Sequence, residues 1–215
     1  MLGDVLLIGE HHRRAAAALV EEVRGRLSGD GRLVVAISGE SGSGKSELSH
    51  LLAKGLTTAG LPAKTIAGDN FFRIDPLKRS AWRVERGVEA SVGLGEVDWD
   101  AFDRCVADFR AGTTSTFPCI DLVPQRVDQL TTDFAPIRVL VVDGLYTVHL
   151  ADADLRVFID LTYHQTKRAQ LLRGKEASDE LRWLVLEAEH RAVRALRSRA
   201  DLLVSDGFEV IAAGS

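Results

Sequence analysis

The sequence predicts an α/β protein of three layers, in which helices cover both faces of a mostly parallel sheet. Apolar runs typical of buried strands alternate with amphipathic helical stretches, as expected where helices connect parallel strands. One such run, residues 33–37, leads into a glycine-rich segment, and a helix-prone stretch follows it. This segment is a complete G-x-x-x-x-G-K-[ST] phosphate-binding loop, so we expect a P-loop nucleotide-binding fold. The loop reads Gly39-Glu40-Ser41-Gly42-Ser43-Gly44-Lys45-Ser46.

Composition and charge are those of one soluble globular domain. The chain has 215 residues, of which 46% are hydrophobic and 27% charged, with a net charge of −4. This balance predicts no general attraction to nucleic acids or membranes, and no apolar run is long enough to span a bilayer. The N-terminus lacks the basic lead of a signal peptide, and the 2 cysteines are too few for a disulfide framework. We therefore expect a cytoplasmic protein.

The first half of the chain holds an N-terminal helix and the strand that enters the loop. Apolar residues at helical spacing over 13–27 predict an amphipathic helix packed on the core. Residues 1–31 are therefore expected to extend a domain formed by residues 32–215. The elements predicted next, in chain order, are a strand at 33–37, a helix at 45–59, a strand at 63–67, an irregular segment at 68–98 and a helix at 99–111.

The second half continues the alternation of strands and helices. Several of its predicted strands are rich in apolar residues, as buried parallel strands are. The predicted strands are 113–117, 126–131, 137–142, 155–160, 201–205 and 208–212, of which the first two pair with each other. The predicted helices are 164–173 and 178–199.

The phosphate-binding loop predicts a bound nucleoside triphosphate with Mg²⁺. Its glycines let backbone N–H groups surround a polyphosphate, Lys45 reaches the outer phosphates, and the Ser46 hydroxyl can ligate Mg²⁺. The helix after the loop directs its positive end at the phosphates. A chance match in a linker rich in glycine and serine is the alternative, and the flanking strand and helix argue against it. A GTPase is excluded because the one asparagine, Asn70, is not followed by Lys-x-Asp.

Two aspartates follow predicted strands and are candidates for catalysis. Asp143 comes after a buried run and before Gly144, which fits the second acidic element of the magnesium site. Its alternative role is to cap a turn at the strand end. Asp69 follows the strand at 63–67, at the sheet edge where ligands bind in open α/β folds. A carboxylate there can accept the proton of a hydroxyl that attacks the γ-phosphate, although an Asp-Asn turn also explains it.

The basic segment 164–177 is a candidate lid. In small-molecule kinases such a segment closes over the phosphates and supplies cations to the transition state. Its Arg168 and Arg173 are the predicted catalytic cations, with Lys175 as a third. A solvated basic helix face is the alternative interpretation.

Residues 32–205 resemble the uridine kinase and phosphoribulokinase family. Besides the loop, the segment 68–73 is similar to the family's Asp-x-Phe-Tyr segment, whose aspartate is the catalytic base. The segment 97–103 resembles the family's Phe-Asp-His-Pro-x-Ala-Phe-Asp, and 118–122 resembles Pro-x-Tyr-Asp-Phe, which lines the acceptor pocket. The resemblance implies a P-loop fold of the nucleoside-kinase type. It also implies that Asp69 is the base and that Asp98 binds sugar hydroxyls.

The departures from the family pattern concern the acceptor. Ile120 stands where uridine kinases have a tyrosine that stacks on the base, and the family's Thr-His-Ser-Arg run is replaced by Val-Pro-Gln-Arg at 123–126. Asp143 replaces the usual glutamate. We therefore expect uridine and cytidine to be poor acceptors, and a sugar, a sugar phosphate, a nucleoside-like compound or a vitamin precursor to be the acceptor. The predicted acceptor contacts are Asp69, Phe72, Arg79, Trp82, Arg83, Asp98, Ile120, Asp121 and Arg126.

The sequence thus predicts a kinase that uses ATP and Mg²⁺ to phosphorylate a hydroxyl of a small metabolite. The choice of ATP over GTP, the acceptor and the oligomeric state stay open, with a homodimer as one option. Arginines of the helix at 178–199 could bind an anionic acceptor or form a solvated face. A regulatory nucleotide-binding protein without an acceptor site is one alternative. An interaction module that docks through the helix at 13–27 is another.

Overall fold

A six-stranded sheet forms the centre of the computed structural model, which describes residues 3–166 and 180–214. The strand order is β2-β5-β1-β6-β7-β8, and only β8 runs antiparallel to its neighbour. The remaining two strands, β3 and β4, form a separate antiparallel hairpin. The strands are β1 Leu33–Gly39, β2 Ala63–Ala67, β3 Thr114–Asp121, β4 Arg126–Asp133, β5 Val139–Gly144, β6 Leu155–Ile159, β7 Leu202–Val204 and β8 Val210–Ala212.

Helices cover both faces of the sheet, which confirms the predicted three-layer α/β fold. Successive residues of the central strand β1 point to opposite faces, so Val34 belongs to one apolar core and Val35 to the other. Short 3₁₀ turns occur at Gly68–Phe71, Leu94–Glu96, Thr147–His149 and Arg197–Arg199. The helices are α1 Glu10–Arg26, α2 Lys45–Thr58, α3 Pro76–Arg86, α4 Val88–Ser91, α5 Trp99–Ala111 and α6 Glu180–Arg194.

The N-terminal helix α1 is part of the core. Leu19 and Val23 are fully buried in the apolar cluster that also contains Leu48 and Leu52 of α2. The residues before α1 run past the β3–β4 turn, where Gly3 lies against Val123, and the backbone N–H of Leu7 donates to Glu47 of α2 at 3.0 Å. Removing residues 1–30 would therefore expose a large apolar surface of α2 to water.

The prediction of an irregular segment at 68–98 is wrong, because α3, α4 and two 3₁₀ turns occupy most of it. Charged residues on α3 hid the helix from a search for apolar periodicity. On its inward face, Arg83 forms buried ion pairs with Glu96 and Glu189. Polar pairing thus replaces the apolar stripe on which the prediction relied.

Several predicted boundaries also need correction. The helix predicted over 178–199 ends at Arg194, and a 3₁₀ turn follows it. The strand predicted at 137–142 begins at Val139 and extends to Gly144, so Asp143 lies within the strand rather than after it. Of the helix predicted at 164–173, only residues 164–166 are described, and they are helical.

Candidate active site

The phosphate-binding loop connects β1 to α2, as the motif requires. Gly44 has φ of 91°, in the left-handed region that residues with a side chain rarely adopt. Gly39 is required for a different reason, since a Cβ there would lie 2.8 Å from the Ser43 hydroxyl and 3.0 Å from the Ile159 carbonyl. Helix α2 begins at Lys45, so its free N–H groups and its positive dipole end face the loop. These features make the loop suited to bind a polyphosphate.

Lys45 lies across the loop. Its ammonium group donates to the backbone carbonyl of Glu40 at 2.8 Å. The positive charge is therefore held next to the backbone amides that would surround a phosphate group. The role of Lys45 in binding the outer phosphates stays a prediction.

Asp143 and Ser46 form an oxygen pair at the base of the loop. The Ser46 hydroxyl donates to one carboxylate oxygen of Asp143 at 3.0 Å, and Ser49 donates to the other at 3.1 Å. Burial raises the pKa of Asp143, and this shift is opposed by the charge of Lys45 and the hydrogen bond from Ser46. Hard oxygen ligands of this kind fit Mg²⁺, which keeps waters and takes its other ligands from substrate phosphates. Within residues 3–166 and 180–214, no cluster of three acidic, histidine or cysteine side chains offers a protein-only metal site.

Asp69 lies at the same sheet edge as Asp143. Strand β2 pairs with β5 so that Ala67 is opposite Asp143, and the 3₁₀ turn after β2 carries Asp69 two residues further. The negative charge of Asp69 is close enough to contribute to the raised pKa of Asp143. Asp69 is half-buried and lines a narrow cleft, here called the Asp69 cleft. The other residues that define this cleft are Gly68, Phe72, Val97, Trp99, Phe102, Gly144, Leu145, Tyr146 and Thr147.

Stacked aromatic rings support one wall of the Asp69 cleft. The rings of Phe71 and Phe102 stack with their centroids 4.2 Å apart, and the ring of Trp99 stacks with Phe102 at 6.1 Å. Asp98 caps α5 by accepting from the backbone N–H of Ala101 at 3.2 Å. One oxygen of Asp98 is thus engaged by the helix, and its predicted contact with sugar hydroxyls stays a prediction.

The predicted acceptor contacts on α3 occupy different environments. Arg79 packs over the ring of Phe72, 4.0 Å from its centroid, and so reaches the border of the Asp69 cleft. Trp82 packs under the Arg86 guanidinium at 5.4 Å. Arg83 is buried, and its guanidinium donates to both oxygens of Glu96 at 2.7 and 3.0 Å and to Glu189 at 3.4 Å. The two carboxylates neutralise Arg83, which argues against the predicted acceptor contact for this residue.

The predicted contacts on the β3–β4 hairpin have local partners. Ile120 is buried, and its backbone N–H donates to the side chain of Asn70 at 3.1 Å. Asp121 accepts from the backbone N–H of Val123 in the hairpin turn. Arg126 is exposed and pairs with Asp128 at 2.7 Å. The structure does not bring these three side chains into the lining of the Asp69 cleft, so their acceptor roles stay predictions.

The predicted lid residues Arg168, Arg173 and Lys175 lie outside the described residues. The arginines at the end of α6 have partners on the protein itself. Arg194 and Arg197 both bind Asp160, which follows β6. The hydrogen bond from Arg197 is the main reason that the pKa of Asp160 is lowered. This pairing favours a structural role over the alternative of an anionic acceptor site.

Two residues of helix α6 form hydrogen bonds with the phosphate-binding loop, a contact that the sequence did not predict. The buried Glu40 carboxylate accepts from the backbone N–H of Tyr163 at 2.6 Å and contacts Nδ1 of His190 at 2.8 Å. Next to it, the Ser41 hydroxyl donates to Glu189 at 3.1 Å. These partners are separated by more than a hundred residues in the sequence, so no local pattern signals the contact.

Tyr146 and Thr147 were also missed, although both line the Asp69 cleft. They come three and four residues after Asp143, at the start of the 3₁₀ turn that follows β5. Thr147 donates to the carbonyl of Ile37 at 2.8 Å and so ties this turn to β1. The available signal was their position after a strand end at the ligand-binding edge.

Comparison with known proteins addresses the family. The model of the phosphoribulokinase / uridine kinase family matches residues 34–172, well over half of the chain. The chain belongs to this family. The predicted resemblance is therefore confirmed. The family is one of kinases, which agrees with the prediction of a phosphotransferase. Within the described residues, no helix has the length and apolar character needed to cross a membrane.

One curated relative is a bifunctional alpha-galactosidase/sucrose kinase of Mediterraneibacter gnavus. It is 26% identical over 206 residues, which are 89% of this chain and 22% of the relative. The chain thus spans about a fifth of the length of this relative.

Solved structures share the fold. A candidate fructose transport system kinase of Silicibacter sp. TM1040 has a TM-score of 0.66 and 24% identity, covering 84% of this chain and 94% of that one. A candidate uridine kinase of Bacillus stearothermophilus has a TM-score of 0.64 and 16% identity, covering 89% and 97%. Phosphoribulokinase from Rhodobacter spheroides has a TM-score of 0.62 and 14% identity, covering 82% and 71%. These similarities confirm the predicted P-loop kinase fold.

Proposed function

We propose that the protein transfers the γ-phosphoryl group of ATP, with Mg²⁺, to a hydroxyl of a small polyol of the sugar class. The observation that carries the proposal is the meeting of three groups at one sheet edge. These are the phosphate-binding loop, the Ser46–Asp143 oxygen pair, and Asp69 at the border of an aromatic cleft. A nucleotide-binding protein without an acceptor has no need for the third group.

The loop side of the site binds and orients the donor. Backbone N–H groups of residues 40–46 and the positive end of α2 bind the phosphates, and Lys45 adds a positive charge beside them. Ser46 and Asp143 would hold Mg²⁺ directly or through water. When bound, this ion neutralises charge on the transferred group and the leaving group.

Asp69 is the proposed base. The acceptor hydroxyl gives its proton to the Asp69 carboxylate while its oxygen forms a bond to the γ-phosphorus. The bond from that phosphorus to the bridging oxygen breaks, and ADP leaves. Such a base works mainly through its position, so an ordinary carboxylate suffices. Arg168 and Arg173 of the proposed lid would stabilise the charge on the transferred group.

The acceptor class rests on the shape of the cleft and on the relatives. Aromatic faces such as those of Phe72 and Trp99 suit the apolar C–H faces of a sugar ring. The curated relative is named as a sucrose kinase. Ile120, in the place of a base-stacking tyrosine, offers no aromatic face to a pyrimidine.

A panel assay of acceptor-dependent ADP release tests the proposal. The probes are sucrose, fructose, ribose, ribulose 5-phosphate, D-glycerate, pantothenate and uridine, each supplied with Mg²⁺ and either ATP or GTP. We expect at least one sugar to stimulate ADP release and uridine to give little. A Lys45→Met control should abolish the stimulated rate, whereas Lys54→Met on the exposed face of α2 should leave it unchanged. Nucleotide binding without turnover for every probe would instead support the regulatory alternative.

A further inference from the structure

The hydroxyl of Tyr146 is buried without a hydrogen-bond partner among the described residues. The residue itself is 2% exposed. Most buried hydroxyl groups in proteins are paired, because a buried polar group that has lost its water is unfavourable. A phenylalanine would fill the same space without that cost. The retained hydroxyl therefore indicates a partner from outside the chain.

The charged groups nearest to Tyr146 are already engaged with one another. Glu96 accepts two hydrogen bonds from Arg83, and Glu189 accepts one from Arg83 and one from Ser41. Burial, followed by the charges of Glu189 and Glu96, raises the pKa of Tyr146. The hydroxyl thus keeps its proton at physiological pH and can act as a hydrogen-bond donor.

The chain has 2 tyrosines, and the other one shows a satisfied hydroxyl. The Tyr163 hydroxyl donates to Glu187 at 2.7 Å, near the protein surface. Tyr146 differs because it lines the Asp69 cleft, where the acceptor of the proposed kinase would bind.

The charge of the cleft indicates what kind of acceptor fits. Its lining within the described residues consists of one carboxylate, one phenol, one threonine, aromatic and apolar side chains, and glycines, with no positively charged side chain. Arg83, which is close enough to Tyr146 for its charge to affect the phenol, is paired with two carboxylates. Arg79, at the border of the cleft, packs its guanidinium on the ring of Phe72. An anionic acceptor would therefore lie next to Asp69, with one cation at the border and none in this lining.

We propose that Tyr146 is an acceptor-binding residue, whose hydroxyl donates to an oxygen beside the one that is phosphorylated, and that the acceptor is an uncharged polyhydroxy compound. This inference rests on the proposed kinase function and specifies its substrate side. Asp69 and Tyr146 then recognise two oxygens of the same molecule. A compound with a single hydroxyl would satisfy only one of them.

Tyr146→Phe tests the inference with Tyr163→Phe as the matched control. The change removes one oxygen and keeps the ring, so the melting temperature should stay the same or rise. We expect kcat/KM for the best neutral acceptor to fall about tenfold, mainly through a higher acceptor KM, as expected for loss of one hydrogen bond. The KM for ATP should not change. Tyr163→Phe should match the wild type, since its backbone contact with Glu40 is kept.

Monodeoxy analogues of the best acceptor separate recognition from a structural effect. The wild type should discriminate against the analogue that lacks the oxygen bound by Tyr146, whereas Tyr146→Phe should treat that analogue and the parent alike. A structural role would instead lower the rates of all analogues by one common factor, and that result would overturn the inference.

Three further results would also count against it. Equal kcat/KM of the wild type and Tyr146→Phe for the parent acceptor would show that the Tyr146 hydroxyl does not bind the acceptor. A preference for D-glycerate or a sugar phosphate over every neutral polyol would refute the uncharged class. Absence of stimulated ADP release by the wild type would refute the proposed kinase function itself, and this inference with it.

Discussion

The two sides of the site are built in different ways. The proposed donor side is formed largely by one continuous stretch, residues 39–46, in which backbone amides and one lysine would do most of the binding. The proposed acceptor side is assembled from side chains of three separate segments, around Asp69, Trp99 and Tyr146. Backbone amides recognise any polyphosphate, whereas side chains at separate positions can vary independently. The difference explains how one donor site can serve kinases with unlike acceptors.

The comparison makes a kinetic prediction for each side. A change in the loop should affect turnover with every acceptor, and a change in the Asp69 cleft should depend on which acceptor is used. Variants that violate this separation identify residues that connect the two sides.

Glu189→Ala should have the largest effect on stability and should affect the kinetics of both the donor side and the acceptor side. Glu189 contacts Ser41 of the loop and Arg83 of α3, and both Glu189 and Arg83 are buried. Removing this carboxylate takes one hydrogen-bond acceptor from Arg83 and another from Ser41, so we expect about 3 kcal/mol of lost unfolding free energy. Urea denaturation measures it.

The kinetic part of this prediction is a simultaneous rise in KM for ATP and for the acceptor. Glu187→Ala, two residues away on a partly exposed side of α6, is the control and should change neither constant much. A Glu189→Ala enzyme with one constant changed and the other intact would show that α6 serves one side alone.

Gly44→Ala should have the next largest effect, confined to the donor side. An added Cβ would lie 2.6 Å from Nε2 of His12, and the backbone at Gly44 is in the left-handed region. The matched control is Gly60→Ala, which has φ of 83° with no atom within 4 Å of the added Cβ. Left-handed strain alone costs about 1–2 kcal/mol, so Gly60→Ala should lose that much.

Gly44→Ala should lose more stability than this control and should weaken nucleotide binding, as measured by calorimetric titration. The acceptor preference across the panel should be unchanged. Equal destabilisation of the two variants would mean that α1 does not constrain the loop.

Asp160→Asn should have the smallest effect on stability and should change neither nucleotide binding nor acceptor binding. Hydrogen bonding to Arg197 lowers the pKa of Asp160 in the folded protein, so ionised Asp160 stabilises the fold above its unfolded pKa. The pair is partly exposed, and we expect the variant to lose about 1 kcal/mol near neutral pH.

The difference between wild type and Asp160→Asn should shrink as pH falls below about 4, the unfolded pKa of aspartate, and vanish below the folded pKa. Thermal melts from pH 7 to acid pH measure this change, with exposed Asp206→Asn as the control. A difference that persists at the acid end would assign the effect to packing instead of charge.

The contrast between the two sides also explains what the sequence could predict. The loop, strand β1 and the start of α2 follow from a continuous motif whose backbone geometry depends on its own glycines. Asp69 could be found because parallel strands end at one edge of the sheet. Tyr146 could not, because an aromatic residue after a buried strand has the pattern of a core residue.

Arg83 is the opposite case, because the sequence suggests a site residue where the structure has an internal ion pair. A cation near the expected acceptor segment suggests a ligand contact, but the carboxylates that neutralise it lie 13 and 106 residues away. The same long-range pairing hid helix α3, since its inward face is polar. Tertiary ion pairs leave no periodic signal in a sequence, so only the structure reveals them.

Asp69→Asn tests most directly whether Asp69 joins an acceptor to the nucleotide site. Phosphoryl transfer from γ-labelled ATP to the best acceptor should fall at least about a thousandfold, whereas the dissociation constant for ATP with Mg²⁺ should change less than about threefold. Asp30→Asn, exposed and located before β1 at the opposite end of the strands, should behave like the wild type. Transfer by Asp69→Asn at the wild-type rate would show that Asp69 is not the base.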